Sequence, residues 1–309
     1  DMFIHNARGY ISSGTKITVP VGTDIKITKV IKIPESFLNF SNVSFKDNGY
    51  KGSGIISVED SAKVNLSNIS FSGSKSGKGG SDRIFIYSSA KVNVNNIYFS
   101  SALQNVEDPA TWVYSLRLSY SHLVNLRDFY ADGEGWGSTG SNFCKDVTFT
   151  DCKLNRIDFH NYCQGYLKVS NCEIGWIGIQ VTMLGDLIVR DSTFNLTNGN
   201  AYSGIISTRP DTGGWSKGKL MIQNVRIIAN NETTLPPIIS GGSNDEQPVD
   251  NSPVGFSAFS EMHIDGLTVD ALNAKELLII KGYGYSEVGP PTRVYINNIK
   301  AFSHTIKYD

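Results

Sequence analysis

KVNLSNISF at 63–71 returns 28 residues later as KVNVNNIYF at 91–99, and both fit one pattern: any residue, apolar, any, apolar, any, Asn or Asp, apolar, any, apolar. With looser seventh and ninth places the pattern also reads FLNFSNVSF from Phe37, LVNLRDFYA from Leu123, DVTFTDCKL from Asp146, YLKVSNCEI from Tyr166 and DLIVRDSTF from Asp186. It continues as KLMIQNVRI from Lys219, EMHIDGLTV from Glu261 with Gly266 in the polar slot, and RVYINNIKA from Arg293. Ten copies in 309 residues mark a repeat architecture, in which each unit buries its apolar face against its neighbours.

Each copy is two short strands of period two, broken at the sixth place, where Asn, Asp or Gly tolerates the left-handed backbone that bulkier residues resist. Stacking would align Asn42, Asn68, Asn96, Asp128, Asp151, Asn171, Asp191, Asn224 and Asn298 in a polar ladder, expected to be buried. Successive sixth places lie 26, 28, 32, 23, 20, 20, 33, 42 and 32 residues apart, which leaves room for a third strand per turn. That strand is read in RIFIYSS from Arg83, SLRLSYS from Ser115, RIDFHNY from Arg156, WIGIQV from Trp176, SGIIST from Ser203, PPIIS from Pro236 and LLIIK from Leu277. Helical periodicity is nowhere sustained. The expected fold is all-β: a right-handed parallel β-helix of about ten coils, three strands per coil, forming one domain over 1–309.

Charge is balanced, with 28 Lys and Arg against 29 Asp and Glu, so no bulk field points to nucleic acid. No apolar run approaches the ~18 residues that read as a membrane-spanning helix, and the first residues, DMFIHNARGY, lack a signal-peptide pattern. The absent initiator Met suggests a fragment of a longer chain. Cys144, Cys152, Cys163 and Cys172 fall at repeat-equivalent, inward places, which favours small core fillers over a disulfide or a zinc site with His160. Sequons at Asn39, Asn42, Asn65, Asn68, Asn195 and Asn231 are read as products of an Asn- and Ser-rich repeat, because two are ladder positions.

Decorations on uniform coils are where function is expected. Long connections at 72–82, 100–114 and 132–143 flank one edge of the third strand, and those at 209–218, 241–260 and 282–292 flank the other, which predicts a walled groove. Alternation puts Phe85, Tyr87, Arg117, Asp158 and His160 on its outer face, with Gln180 in the next coil. The loop ADGEGWGSTGS adds Asp132, Glu134 and Trp136, and Glu173 and Lys153 stand near the same edge. Aromatic, carboxylate and basic groups along a groove suit carbohydrate chemistry: rings stack on sugars, and two carboxyls serve as general acid and as base or nucleophile.

Strands such as YLKVSNCEI and DLIVRDSTF resemble the pectate-lyase-like β-helix superfamily, and RIDFHNYCQGYLKVSNCEIGWIGIQV at 156–181 is similar to bacteriophage tailspike depolymerases. That resemblance implies a homotrimeric, extracellular protein of the virion tail that binds and often cleaves bacterial capsule, exopolysaccharide or O-antigen. No head-binding or trimerising segment and no Asp-rich calcium site can be matched, and no cofactor or metal is expected. The leading expectation is an endo-acting glycoside hydrolase, with Glu134 and Asp158 as the carboxyl pair and Asp132 and Glu173 in reserve. His160 would orient Asp158. Arg117 would hold an acidic sugar, Trp136 and Tyr87 would stack on rings, and Gln180 and Arg156 would bind substrate. Two alternatives remain open: a lyase with His160 or a Tyr as base, and a non-catalytic glycan-binding fibre or adhesin segment. Neither nucleic acid nor membrane insertion is expected.

Overall fold

In the computed structural model every strand pairing is parallel, and no helix occurs among the described residues. Those residues are 2–3, 15–19, 25–28, 37–47, 56–59, 63–73, 83–99, 114–131, 137–196, 204–208, 218–229, 235–241, 259–271, 276–281, 293–301 and 305–307. The chain divides into two compact units, Asp1–Asn155 and Arg156–Asp309. Among the described residues no helix is long and apolar enough to cross a membrane, which says nothing of membrane-spanning strands.

In the first unit the repeats stack residue on residue at the spacings read from the sequence. Phe37–Asp47 pairs with Lys63–Gly73, which pairs with Val92–Phe99, then His122–Ala131, then Lys145–Thr150. Val64, Val92, Val124 and Val147 form one buried column, and Leu66, Val94, Leu126 and Phe149 form another. Phe71 stacks on Phe99 at 4.5 Å. Opposite the next ninth place the small Ala131 leaves room, and Phe129 leans against Phe99 at 5.7 Å instead. Each such buried side chain contributes about 1.5–3 kcal/mol. In the second unit Lys219–Ile228 pairs with Glu261–Asp270, which pairs with Arg293–Ala301.

All ten sixth-place residues adopt the left-handed conformation, with φ from 49° at Asp191 to 79° at Gly266. The inserted residue resets the alternation, so the fourth and seventh places both face inward, as Leu66 and Ile69 do. The ladder itself is not buried: Asn68, Asn96, Asn171, Asp191, Asn224 and Asn298 are exposed, and Asn42 is half-buried. This corrects the expectation of a buried ladder. With the fourth and seventh places both inward, the two residues between them point outward, and the sixth bonds along the stack. Asn68 Nδ2 donates to Asn42 Oδ1 at 3.0 Å, and Asn96 Nδ2 donates to Asn68 Oδ1 at 2.8 Å. A second ladder, unforeseen from sequence, runs through the third place, where Asn125 donates to Asn93 and Asn93 to Asn65. The four cysteines are free thiols and all are buried.

A separate ladder precedes the repeats. Ile25–Thr28, Ile56–Glu59, Ile84–Tyr87, Tyr114–Ser119 and Gly137–Asn142 pair in succession. The last of these corrects the reading of 132–143 as a loop. GSTGSN carries no apolar residue, but Thr139 and Ser141 sit opposite the buried Leu116 and Leu118 and are themselves buried. In the second unit the corresponding ladder runs from Ile179 to Ile206, Ile239 and Ile280.

Candidate functional site

The outward face of the preceding ladder is where the candidate residues fall, and each unit presents it differently. In the first unit Ile84, Ile86, Leu116 and Leu118 are buried, so Phe85, Tyr87 and Arg117 stand on the other face. Arg117 lies opposite Phe85 on one side and Gly140 on the other. Its guanidinium sits 5.4 Å from the centroid of the Tyr114 ring. That ring lies against Gly140 so closely that a Cβ there would meet it at 2.8 Å. Gly140 thus makes room for Tyr114, and Tyr114 carries Arg117.

Past the end of these strands the chain turns a second left-handed corner, at Ser88, Tyr120 and Phe143, with φ of 55°, 52° and 53°. The corners are linked by backbone bonds: Ser88 N–H donates to Ser119 O at 2.9 Å, and Tyr120 N–H to Asn142 O at 3.0 Å. The next residue in each case, Ser89, Ser121 or Cys144, turns inward and is buried. An aromatic side chain in this conformation costs about 1–2 kcal/mol. Tyr120 and Phe143 nevertheless hold it while 47% and 38% exposed. Their rings stack at 4.7 Å, and Tyr87, 40% exposed, meets Tyr120 edge-on at 5.3 Å. Sequence reasoning found Tyr87 and missed Tyr120 and Phe143; the available signal was an aromatic residue followed by a small one just after a strand.

In the second unit the same face is closed to solvent. Asp158 was expected to be exposed beside His160, but it is 0% exposed, and Arg156 Nε donates to its Oδ1 at 2.5 Å with Arg156 only 1% exposed. Residues two apart on one strand share a face, which lets the two side chains pair. Burial of a charged group demands such pairing. Gln180 lies opposite Ser207, and Ser207 opposite Ser240; all three are buried. Ser207 Oγ donates to Gly204 O at 3.2 Å. Glu173 is half-buried and accepts a 3.2 Å bond from Asn195 Nδ2.

Among the predicted residues, then, the structure joins Arg156 to Asp158 and places Tyr87 and Arg117 on one ladder face. Asp132, Glu134 and Trp136 lie outside the described residues, as does the side chain of His160. Most of the groove walls at 72–82, 100–114, 209–218, 241–260 and 282–292 lie outside them too. No group of three His, Cys, Asp or Glu side chains able to hold a metal occurs among the described residues.

A further polar cluster, not anticipated, joins neighbouring strands of the second unit. Glu261 Oε1 contacts His263 Nε2, Lys219 Nζ approaches Glu261 at 3.4 Å, and His263 stacks on Tyr295 at 4.6 Å. The bond to His263 holds the Glu261 carboxyl below the ordinary glutamate range, outweighing its desolvation, and Lys219 acts in the same direction.

No family model matches the chain. In sequence it is 28% identical over 178 residues, 52% of its length, to a capsule KL64-specific depolymerase of Klebsiella phage P510. The chain spans 18% of that relative's length. In structure it resembles PfbA, a surface adhesin of Streptococcus pneumoniae, with a TM-score of 0.57 at 12% identity over 99% of this chain and 85% of that one. That likeness is one of fold. The chain is thus related in sequence to a phage capsule depolymerase and shares its fold with a bacterial surface adhesin.

Proposed function

We propose that this chain is part of a phage depolymerase that binds and cleaves a bacterial surface polysaccharide: capsule, exopolysaccharide or O-antigen. The observation that carries this reading is the sequence match to the capsule-specific depolymerase over half the chain. The exposed Tyr87 and the half-buried Phe85 and Arg117 on the ladder face of the first unit support it, since rings and guanidinium groups are what a glycan surface needs. Coils of three strands winding right-handed, a homotrimeric assembly and a place on the virion tail complete the proposal.

For chemistry we take glycoside hydrolysis with Glu134 as acid and Asp158 as the partner carboxylate. Asp158 is ion-paired to Arg156 and 0% exposed, so this role requires substrate to open the face that covers it. Asp132 and Glu173 are the reserve carboxylates, and of the two described candidates Glu173 is the one open to solvent. His160 positions Asp158. Arg117, Tyr87 and Trp136 bind substrate, and Gln180 and Arg156, both buried, join them once that covered face opens.

The test is incubation with a panel of purified Klebsiella capsular polysaccharides. New reducing ends without ultraviolet-absorbing unsaturated products support a hydrolase, and unsaturated products point to a lyase instead. Glu134→Gln is expected to abolish cleavage while binding persists, and Asp158→Asn, which strands the buried Arg156 charge, is expected to do so in protein shown by circular dichroism to be folded; unchanged turnover in both refutes the assignment. The full burial of Asp158 favours one other reading, a non-catalytic glycan-binding segment. Binding without any new ends, in the wild-type chain, selects it.

A further inference from the structure

Left-handed corners recur along the first unit, with a third set at Leu123 and Asp146, and the repeat bend and the corner after the preceding ladder are filled by different chemistry. At the repeat bends the chain uses Asn or Asp in every copy of that unit, residues that accept the conformation cheaply. At the other corner it places Tyr120 and Phe143, which resist the conformation and expose apolar rings to water. Both choices cost stability, and neither ring fills the core. Strain kept at an exposed position points to a ligand.

The charge around the corner says which ligand. Two residues past Tyr120 stands His122, and two past Phe143 stands Lys145; both are exposed, and they lie opposite each other across the ladder. Lys91 is exposed three residues past Ser88, and Arg117 is carried on the ladder face beside Phe85. Across 83–91, 114–123 and 137–146 the only acidic residue is Asp146, and one more, Glu59, lies opposite Tyr87 on the neighbouring strand, so cationic residues outnumber acidic ones around the corner. The occupant is therefore anionic as well as ring-bearing.

We propose that Tyr120 and Phe143, with Tyr87 and Arg117, form a binding ledge for an acidic polysaccharide chain. Sugar rings pack along the aromatic edge, and sugar carboxylates meet Arg117 and the flanking lysines. The proposal rests on the polysaccharide reading above and adds to it a subsite and a charge class.

The test uses the whole chain, an acidic capsular polysaccharide panel and the same polysaccharides after carboxyl reduction. The Tyr120→Asn/Phe143→Asn double variant relieves the corner strain, so its melting temperature is expected to stay level or rise. Its binding is expected to weaken by about tenfold or more, as for loss of aromatic anchors. Wild-type binding is expected to fall comparably on carboxyl reduction. Double-variant binding within about twofold of wild type, equal wild-type binding to reduced and native forms, or wild-type binding to none of the acidic panel overturns the ledge. Wild-type binding without cleavage instead sinks the depolymerase reading and leaves the ledge standing.

Discussion

The strand Ile84–Tyr87 and the segment 156–159 each alternate an apolar inward row with an outward row, yet their outward rows meet opposite fates. Phe85 and Tyr87 reach solvent, whereas Arg156 and Asp158 are shut away and paired with each other. Gln180, Ser207 and Ser240 continue the closed face in the second unit. Alternation thus decides which way a side chain points and leaves open whether water reaches it. The difference is local: Phe85, Tyr87 and Arg117 stay accessible in the first unit although Arg83, Ser115, Ser119 and Ser138 of the same rows are buried, and the second unit holds its polar groups under mutual constraint.

The largest expected effect breaks the closed side of that comparison. Arg156→Met leaves the Asp158 carboxylate buried without its guanidinium and is expected to cost about 3–5 kcal/mol in urea unfolding. Adding Asp158→Leu removes the stranded charge and is expected to recover most of the loss. A single-variant cost under about 1 kcal/mol means the pair is solvated, contrary to the burial seen here.

Glycine gives the next contrast. A Cβ on Gly185, where φ is 143°, would sit 1.7 Å from the Gly165 carbonyl oxygen, so the backbone itself must move. Gly185→Ala is expected to lower stability by about 2–4 kcal/mol. Gly140→Ala in the first unit meets a side chain, the Tyr114 ring, which can shift. Its stability cost is expected near 1 kcal/mol, with acidic-glycan binding weakened through displaced Arg117. Equal stability losses in the two variants contradict the distinction.

Smaller again is the exchange between corners. Asn96→Tyr puts an aromatic residue at a repeat bend and is expected to cost about 1–2 kcal/mol, while Tyr120→Asn is neutral or gains up to about 1 kcal/mol. Thermal unfolding of the two single variants decides it; a marked loss in Tyr120→Asn shows that the ring has a structural role.

The smallest effect is electrostatic. Glu261 titrates below the ordinary glutamate range because of His263, so its contribution to stability is present above the unfolded glutamate value and is lost as pH falls through the lowered folded value. Wild type is expected to exceed Glu261→Gln near neutrality and to converge on it in acid. A gap that widens as pH falls reverses the sign and refutes the pairing.

The parts of the fold written as local pattern were legible in the sequence. The ten bends at Asn42 through Asn298, and registers such as Val64 opposite Val92, follow from apolar spacing and left-handed tolerance. The strand Gly137–Asn142 was hidden because its register partners accept hydroxyls and glycine in place of apolar residues, leaving no hydrophobic signal. The site was less legible. Asp158 was read as outward and exposed but is fully buried, because burial depends on what covers a face, which period-two reasoning does not address. Tyr120 and Phe143 escaped notice because their backbone conformation contradicts the propensity by which bends are recognised.

The most direct test of polysaccharide cleavage is size-exclusion chromatography of acidic capsular polysaccharides after incubation with this chain. At least one polysaccharide is expected to shift to lower mass, with fragments accumulating in proportion to time and protein. An unchanged mass profile across the panel, from a folded chain, contradicts it.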